Sequence, residues 1–292
     1  MSNVGCSQKR VWDPAKSLVE RAHNGIVASC EQPGIMRTAH WHPQIEVNYV
    51  VQGKMFYKMY GHAATLNEGD ICLFWGGLPH QVVDTTPDAM FHAIHLPLLN
   101  FFRLALPEGV RHSLIRGATL ILHGDNEVDL ANFRRWSDYL RSETATKRNL
   151  AVDEILLRFE RMQFEPFTLI EPRYGFPGLT TREESEAPGN AWRICSHIAD
   201  NFRSDIDSGS ISKSISLHPK YAMNVFKKNT GMTINEYVNL LRLSYAQAML
   251  MDNDSDISRI SIESGFHSLS AFNGAFRKAC GLSPTDFRRG AR

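Results

Sequence analysis

The last hundred residues restrict the fold most, because helix starts and stops follow one another there too closely for long helices. Asp207 or Ser208 can cap a short helix through Ile215. His218-Pro219 puts a proline in a first helical turn, where its missing N–H costs nothing. That helix runs to about Thr230 and stops at Gly231. Thr233-Ile234-Asn235-Glu236 is a capping box opening a helix to about Met251. Asp256 caps a short helix ending at Gly265, and His267 or Ser268 starts another that ends near Gly281. Ser283-Pro284 opens the last. Short helix, tight turn and second helix thus occur twice, the outline of two helix-turn-helix units in an all-α domain over residues 191–292.

Length and charge set the rest in context. A chain of 292 residues predicts about two domains. With 43% hydrophobic and 22% charged residues it is ordinary for a soluble globular protein, whose core needs no disulfide or metal staple. Cys6, Cys30, Cys72, Cys195 and Cys280 are odd in number and show no CxxC spacing, which predicts reduced thiols in a cytoplasm. Met1–Arg10 is polar, so no signal peptide is expected. No apolar run approaches the roughly 20 residues of a membrane span. Net charge is only +1, but it is unevenly spread. Residues 191–292 hold 13 Lys+Arg against 9 Asp+Glu, and residues 1–190 hold 19 against 22. A basic tail behind an acidic front fits nucleic-acid binding at one end.

The front half changes period. Residues 35–96 read as short strands between turns: Gln44–Val51 and Lys54–Tyr60 flank Gln52-Gly53, and Ile71–Trp75 and Met90–Leu96 are apolar runs. Such spacing predicts a barrel or sandwich. Beyond Pro97 the pattern turns helical, with two amphipathic helices expected at Asp129–Arg148 and Leu150–Phe164. Leu130, Phe133, Trp136 or Ser137, and Leu140 form one stripe, and Ile155, Leu156, Phe159 and Met162 another. Either the stripes pack on their own barrel or they form a dimer interface. Residues 171–190, rich in Pro, Gly and charge, read as a linker between a front domain of 1–170 and the tail domain of 191–292.

The spacing His40-x-His42-x3-Glu46-x6-Gly53 matches the first motif of the cupin barrel. The second is recognisable from Gly69-Asp70 to His80, with Trp75 in place of its proline and Asp84 at its asparagine position. Residues 40, 42 and 46 share parity, so one strand would turn all three inward, and a second strand delivers His80. His40, His42, Glu46 and His80 form a ligand set for Mn, Fe, Ni or Zn. They are equally a polar floor for a sugar, or a satisfied structural cluster. Trp75 and His92 are further candidates to face the pocket; Trp75 can stack on a sugar or simply fill the core.

The segment GFHSLSAFNGAFRKACGLSPTDFRR, Gly265 to Arg289, resembles the signature of the AraC/XylS family of transcription regulators. The matching positions are Gly265, Phe266, Ser268, Phe272, Phe276, Arg277, Gly281, Ser283, Pro284, Phe287 and Arg288, with Arg242, Leu243, Ala246, Ile257, Ile260 and Ser261 upstream. His40–Asn48, Leu73–Gln81 and Tyr221–Phe226 look most like a sugar-operon member of that family.

The resemblance implies an α+β fold: an N-terminal cupin-like β-barrel with a helical hairpin, then an all-α double helix-turn-helix. It implies a sequence-specific DNA-binding regulator, cytoplasmic and homodimeric, with no enzymatic activity and no required cofactor. Its partners would be promoter DNA, RNA polymerase and a small-molecule effector such as a sugar. By motif position the first recognition helix presents Lys220, Tyr221, Met223 and Asn224, and the second Leu269, Ser270, Asn273 and Gly274. Ser268, Lys213, Lys227 and Arg277 would meet phosphates. The connecting helix, Thr233–Met251, spans roughly 28 Å, close to the ~34 Å between successive major grooves. Relatives often carry Arg where Gly274 stands, so a direct guanine contact is absent here. The competing readings are a cupin-type metal-dependent enzyme and a metal-ion sensor with a divalent metal in the barrel.

Overall fold

The computed structural model describes residues 26–59, 61–124, 126–172, 182–252 and 254–291. The polar N-terminus and residues 173–181 of the expected linker lie outside the described residues. By its contacts the chain divides into two units, one of residues 1–97 and 104–177 and one of residues 98–103 and 178–292.

The first unit grows from the Gln52-Gly53 turn. Gly53 has φ +75°, and a Cβ there would lie 2.3 Å from Thr86 Oγ1, so only glycine fits. The turn joins β2 (Ile45–Gln52) to β3 (Lys54–Met59) but carries the chain from one sheet into the other. The larger sheet is antiparallel, in the order β1 (Val27–Glu31), β7 (Met90–Leu96), β2, β5 (Asp70–Trp75), β8 (Thr119–His123) and β9 (Phe167–Ile170). The smaller is β4 (His62–Asn67), β3 and β6 (Gln81–Thr85). Val50, Cys72, Phe74, Phe91 and Ala93 of the first pack on Met55, Tyr57, Met59, Ala64, Leu66 and Val82 of the second. The expected cupin-like barrel thus takes the form of two facing antiparallel sheets of cupin type, whose outer strands each keep one partner.

The other face of the larger sheet is covered by a helical hairpin. The Tyr49 ring stacks on Phe133 of α3 (Asn126–Leu140) at 5.0 Å. The hairpin turn falls earlier than its periodicity suggested, between Leu140 and the start of α4 (Ala145–Glu160). Arg148 Nη1 fixes it by donating to the carbonyls of Ser142 at 2.7 Å and Glu143 at 2.8 Å. Phe133, Trp136, Leu140, Ile155, Leu156, Phe159 and Met162 are all buried within this unit, so the two stripes belong to its own core. Buried Arg158 staples the hairpin, donating to Asp129 from Nε at 2.8 Å and Nη2 at 3.1 Å, and to Glu165 at 2.9 Å. Between β7 and β8 the chain forms α1 (Leu99–Arg103) and α2 (Glu108–Ile115).

The second unit takes in α1, whose Phe102 ring lies 5.7 Å from Phe202 and 5.4 Å from Tyr245. Its first long helix, α5 (Arg182–Asn201), begins inside the stretch that read as linker. Then follow α6 (Ser208–Ser214), α7 (Pro219–Thr230), α8 (Ile234–Asp252), α9 (Ile257–Glu263), α10 (Leu269–Cys280) and α11 (Pro284–Ala291). Phe226 and Tyr237 meet edge to face in the first half, and Phe276 and Phe287 do so fifty residues later. Gly231 and Gly281, at φ 67° and 73°, end α7 and α10 with the same left-handed cap. No helix among the described residues is long and apolar enough to cross a membrane.

Candidate nucleic-acid interface and effector site

The two repeats present equivalent helix faces. α7 buries Ala222, Val225 and Phe226, and α10 buries Phe272 and Phe276. The opposite face of α7 exposes Lys220, Tyr221, Met223, Asn224 and Lys227. That of α10 exposes Leu269, Ser270, Asn273, Gly274 and Arg277. Tyr221, Met223 and Leu269 are each more than two-fifths exposed, large apolar side chains that the unit's own core does not use. On the second helix Ser270, Asn273, Gly274 and Arg277 line one groove with Ser283 and Thr285. Lys213, expected to meet a phosphate, is also exposed. Ser268 has a structural duty: its Oγ accepts from the Ala271 N–H at 3.1 Å and caps α10.

Two of the signature arginines also turn out to be ties within the unit. Arg242 donates to the Phe202 carbonyl at 2.6 Å and the Ser204 carbonyl at 2.8 Å. Arg288 donates to the Ser255 carbonyl at 2.6 Å. The connecting helix α8 opens on the capping box read from sequence. Glu236 N–H donates to Thr233 Oγ1 at 3.2 Å, and Thr233 N–H donates to Glu236 at 2.7 Å. A rigid helix of this length sets the spacing between α7 and α10.

A second cluster lies buried in the first unit. His40 pairs with His80 through a backbone bridge, with N–H···O bonds of 2.9 and 2.8 Å. His42 precedes β2 and is fixed by its own N–H on the Gly76 carbonyl at 2.9 Å. Gly76 makes room for its ring, since a Cβ there would lie 2.2 Å from His42 Cε1. Glu46 on β2 stands at the centre. Its Oε2 is 3.1 Å from His42 Nε2, 3.3 Å from His80 Nε2 and 3.7 Å from His95 Nε2. Its Oε1 accepts from Asn48 Nδ2 at 2.9 Å, and Asn48 Nδ2 also donates to Tyr57 Oη at 3.0 Å. His40, His42, Glu46, His80 and His95 are all buried.

The electrostatics follow from that burial. Desolvation pushes the pKa of His42 down to about 3, helped by the neighbouring charge of His95, so its ring is neutral near pH 7. Burial works to raise that of Glu46, yet His95 and the hydrogen bonds from the surrounding imidazoles hold it well below the usual carboxylate range. The cluster is an anionic carboxylate ringed by imidazoles.

Trp75 and His92 do not join it. Trp75 is buried, and its indole N–H is spent on the Pro43 carbonyl at 3.2 Å. His92 and His95 lie three apart on β7, so they point to opposite faces. His92 Nδ1 meets Ser137 Oγ of α3 at 3.0 Å, and its expected place in the pocket is taken by His95. His95 was missed, although it sits directly across from Glu46 in the β2–β7 register. Asn48 and Tyr57, which orient the carboxylate, were missed too. The donor set fits a divalent cation: His40, His42 and His80, and likewise His42, Glu46 and His95, bring ligand atoms within 4.8 Å of one another.

A helix-turn-helix domain family matches residues 211–290, and a cupin domain family matches residues 29–95. The melibiose operon regulatory protein of Escherichia coli strain K12 is 29% identical over 260 residues, covering 88% of this chain and 85% of that protein. The chain is a DNA-binding transcription regulator with an AraC-type helix-turn-helix domain and a cupin domain. The Msm operon regulatory protein of Streptococcus mutans is 31% identical over 116 residues, 39% of this chain and 41% of its own length. The transcriptional activator RhaS of Pectobacterium carotovorum is 32% identical over 94 residues, 32% and 34% of the two chains. Among solved structures, ToxT from Vibrio cholerae aligns with 91% of this chain and 98% of its own at 10% identity and TM-score 0.35. The DNA-binding domain of AdpA aligns with 35% and 93% at 20% identity and TM-score 0.34.

Proposed function

We propose that this AraC-family regulator is switched by a small polyhydroxylated molecule of the galactoside class, bound at the imidazole–carboxylate cluster. The observation that carries the reading is Glu46, a buried carboxylate with three imidazoles within 3.7 Å, in the cupin-like unit of a DNA-binding chain. Its likeness to the melibiose operon regulatory protein, which extends over both units, supports the sugar. Buried polar groups must be paired, and sugar hydroxyls both donate and accept. A site built for particular hydroxyls penalises analogues that lack them. As a regulator the chain turns over no substrate, works in the cytoplasm where its promoter lies, and acts as a homodimer in concert with RNA polymerase. The test is a titration of promoter duplex with the full chain, with and without melibiose or galactose. Sugar should change DNA affinity by ~1–3 kcal/mol, an ordinary allosteric coupling. An unchanged affinity, with no heat of sugar binding in calorimetry, would overturn it.

The two overlapping ligand triads favour a second reading, in which a divalent metal ion is the effector. His40, His42, Glu46, His80 and His95 would hold it, and its chemistry would be structural or signalling. Elemental analysis of protein purified without chelator then gives close to one metal per chain, which His40→Ala with His42→Ala removes. Stoichiometric metal without a sugar response would replace the sugar reading.

A further inference from the structure

We infer that Gly274 is a DNA-contact position in its own right, where α10 lies against the duplex with bare backbone. The inference rests on the reading of this helix face as the DNA-binding face. Gly274 sits in the middle of α10 and does not have the positive φ that would require glycine. Apart from its chain neighbours and the backbone of its own helix, a Cβ built there meets no heavy atom within 4 Å. Gly265 and Gly76 differ, because a Cβ would strike Phe202 and Arg203 at the first and the His42 ring at the second. Nothing inside the protein therefore calls for glycine at 274. A glycine in a helix interior is nevertheless among the least stabilising choices available. Gly109 and Gly290 are helical and equally open; what sets Gly274 apart is its place on the exposed face that α10 offers to DNA.

The repeat sharpens the point. Fifty residues earlier the equivalent position is Asn224, between exposed Lys220, Tyr221 and Lys227, all longer than their counterparts Ser270 and Ala271 except for Lys227, which Arg277 matches. The first helix can read bases at the reach of its side chains. The second has the short Ser270, Ala271 and Asn273 beside Gly274, with the longer Leu269 and Arg277 at the two ends of the face. Short side chains reach base edges only from a helix seated deeply in the groove. A bare Gly274 permits that seating, and a methyl group there holds the helix away.

The full-length chain selects its preferred duplex from a random pool, and wild type and Gly274→Ala are compared on it. The variant should bind on the order of tenfold more weakly. Its melting temperature should rise by roughly 2–4 °C, because alanine is the better helix former. The salt dependence of binding should stay the same, since no charge contact is lost. Unchanged or tighter binding by the variant would overturn the inference, and so would a lower melting temperature, which would make the glycine a structural residue. Failure of wild type to enrich any duplex would instead remove the reading of the face as a DNA reader, and the inference with it.

Discussion

Ser216 and Gly265 occupy the same place in the two helix-turn-helix units, and both have left-handed backbone, at φ 58° and 86°. The hydrogen bonds around them coincide. Ser216 N–H donates to Lys213 O and Leu217 N–H to Ser212 O, as Gly265 N–H donates to Ile262 O and Phe266 N–H to Ser261 O. Each turn closes the preceding short helix with the same motif. Ser216 is the only non-glycine residue with positive φ among the described residues. A side chain in that region costs about 1–2 kcal/mol. Ser216→Gly should therefore stabilise the second unit by about 1 kcal/mol, part of the relief being lost to greater unfolded-chain freedom. Gly265→Ala should do the reverse and more, because its Cβ would lie 2.8 Å from Arg203 Cα and the Phe202 carbonyl oxygen. Urea denaturation of the two variants checks both signs.

Asn224 is exposed on α7 and is the residue of that face best suited to a bidentate bond with adenine. Asn224→Ala should cost ~1–3 kcal/mol on the preferred duplex and relax selection at one base pair. Lys227→Ala, by contrast, should weaken binding on all sequences alike and reduce the salt slope by about one. Selection from a random pool by each variant separates the two effects. An unchanged base preference in the asparagine variant would exclude its role.

The first unit should lose stability in mild acid. Burial lowers the pKa of His92 to about 4, and the charges of Arg134 and Arg141 add to the effect. In the unfolded chain the same ring titrates near 6.5. The native state thus holds the ring neutral, and its contribution is present in full above about pH 6.5. It is lost progressively as pH falls toward 4, because only the unfolded state takes up the proton. His92→Asn, which can keep a hydrogen bond to Ser137, should flatten that part of the acid limb by an amount on the order of 2 kcal/mol. Thermal melts from pH 7 to about pH 4 compare the two; identical acid limbs would assign the sensitivity elsewhere.

Much of this was legible in the sequence, and the reasons for the gaps are physical. The capping box at Thr233 and Glu236 and the stops at Gly231 and Gly281 are local chemistry, so they could be read from neighbouring residues. His40, His42, Glu46 and His80 are motif positions, and they do converge, though His40 and His42 reach the cluster from a bridge and a turn before β2 rather than from one strand. His95 has no local signal. Only the pairing of β2 with β7 brings it opposite Glu46, and register between strands forty residues apart is a tertiary fact. His92 was placed wrongly for the same reason, since a one-residue choice of phase on β7 sends every side chain to the other face. The helical stripes had the right period, but periodicity does not say which partner a face meets.

That last point moves the contact of the proposed homodimer to the other side of the hairpin. With the stripes consumed by the core, the exposed large apolar residues of α4 are Leu150 at 48% and Leu157 at 59%, two helical turns apart. Phe164 at 83% ends the 3-10 turn Arg161–Phe164 that continues the helix. Asp153 and Arg161 are exposed along the same edge. An antiparallel pairing about a two-fold axis at Leu157 brings Leu150 of each copy to Phe164 of the other, and Asp153 to Arg161. Both contacts occur twice, as an isologous interface requires. Leu157→Glu would place two like charges on that axis in a side chain the fold itself leaves exposed. Wild type should therefore scatter light as a dimer at tens of micromolar, and Leu157→Glu as a monomer with an unchanged melting temperature for the reader unit. Asp153→Arg should weaken the dimer and Asp153→Arg with Arg161→Asp should restore it. A wild type that stays monomeric with and without sugar, or a dimer indifferent to all three variants, would rule this face out.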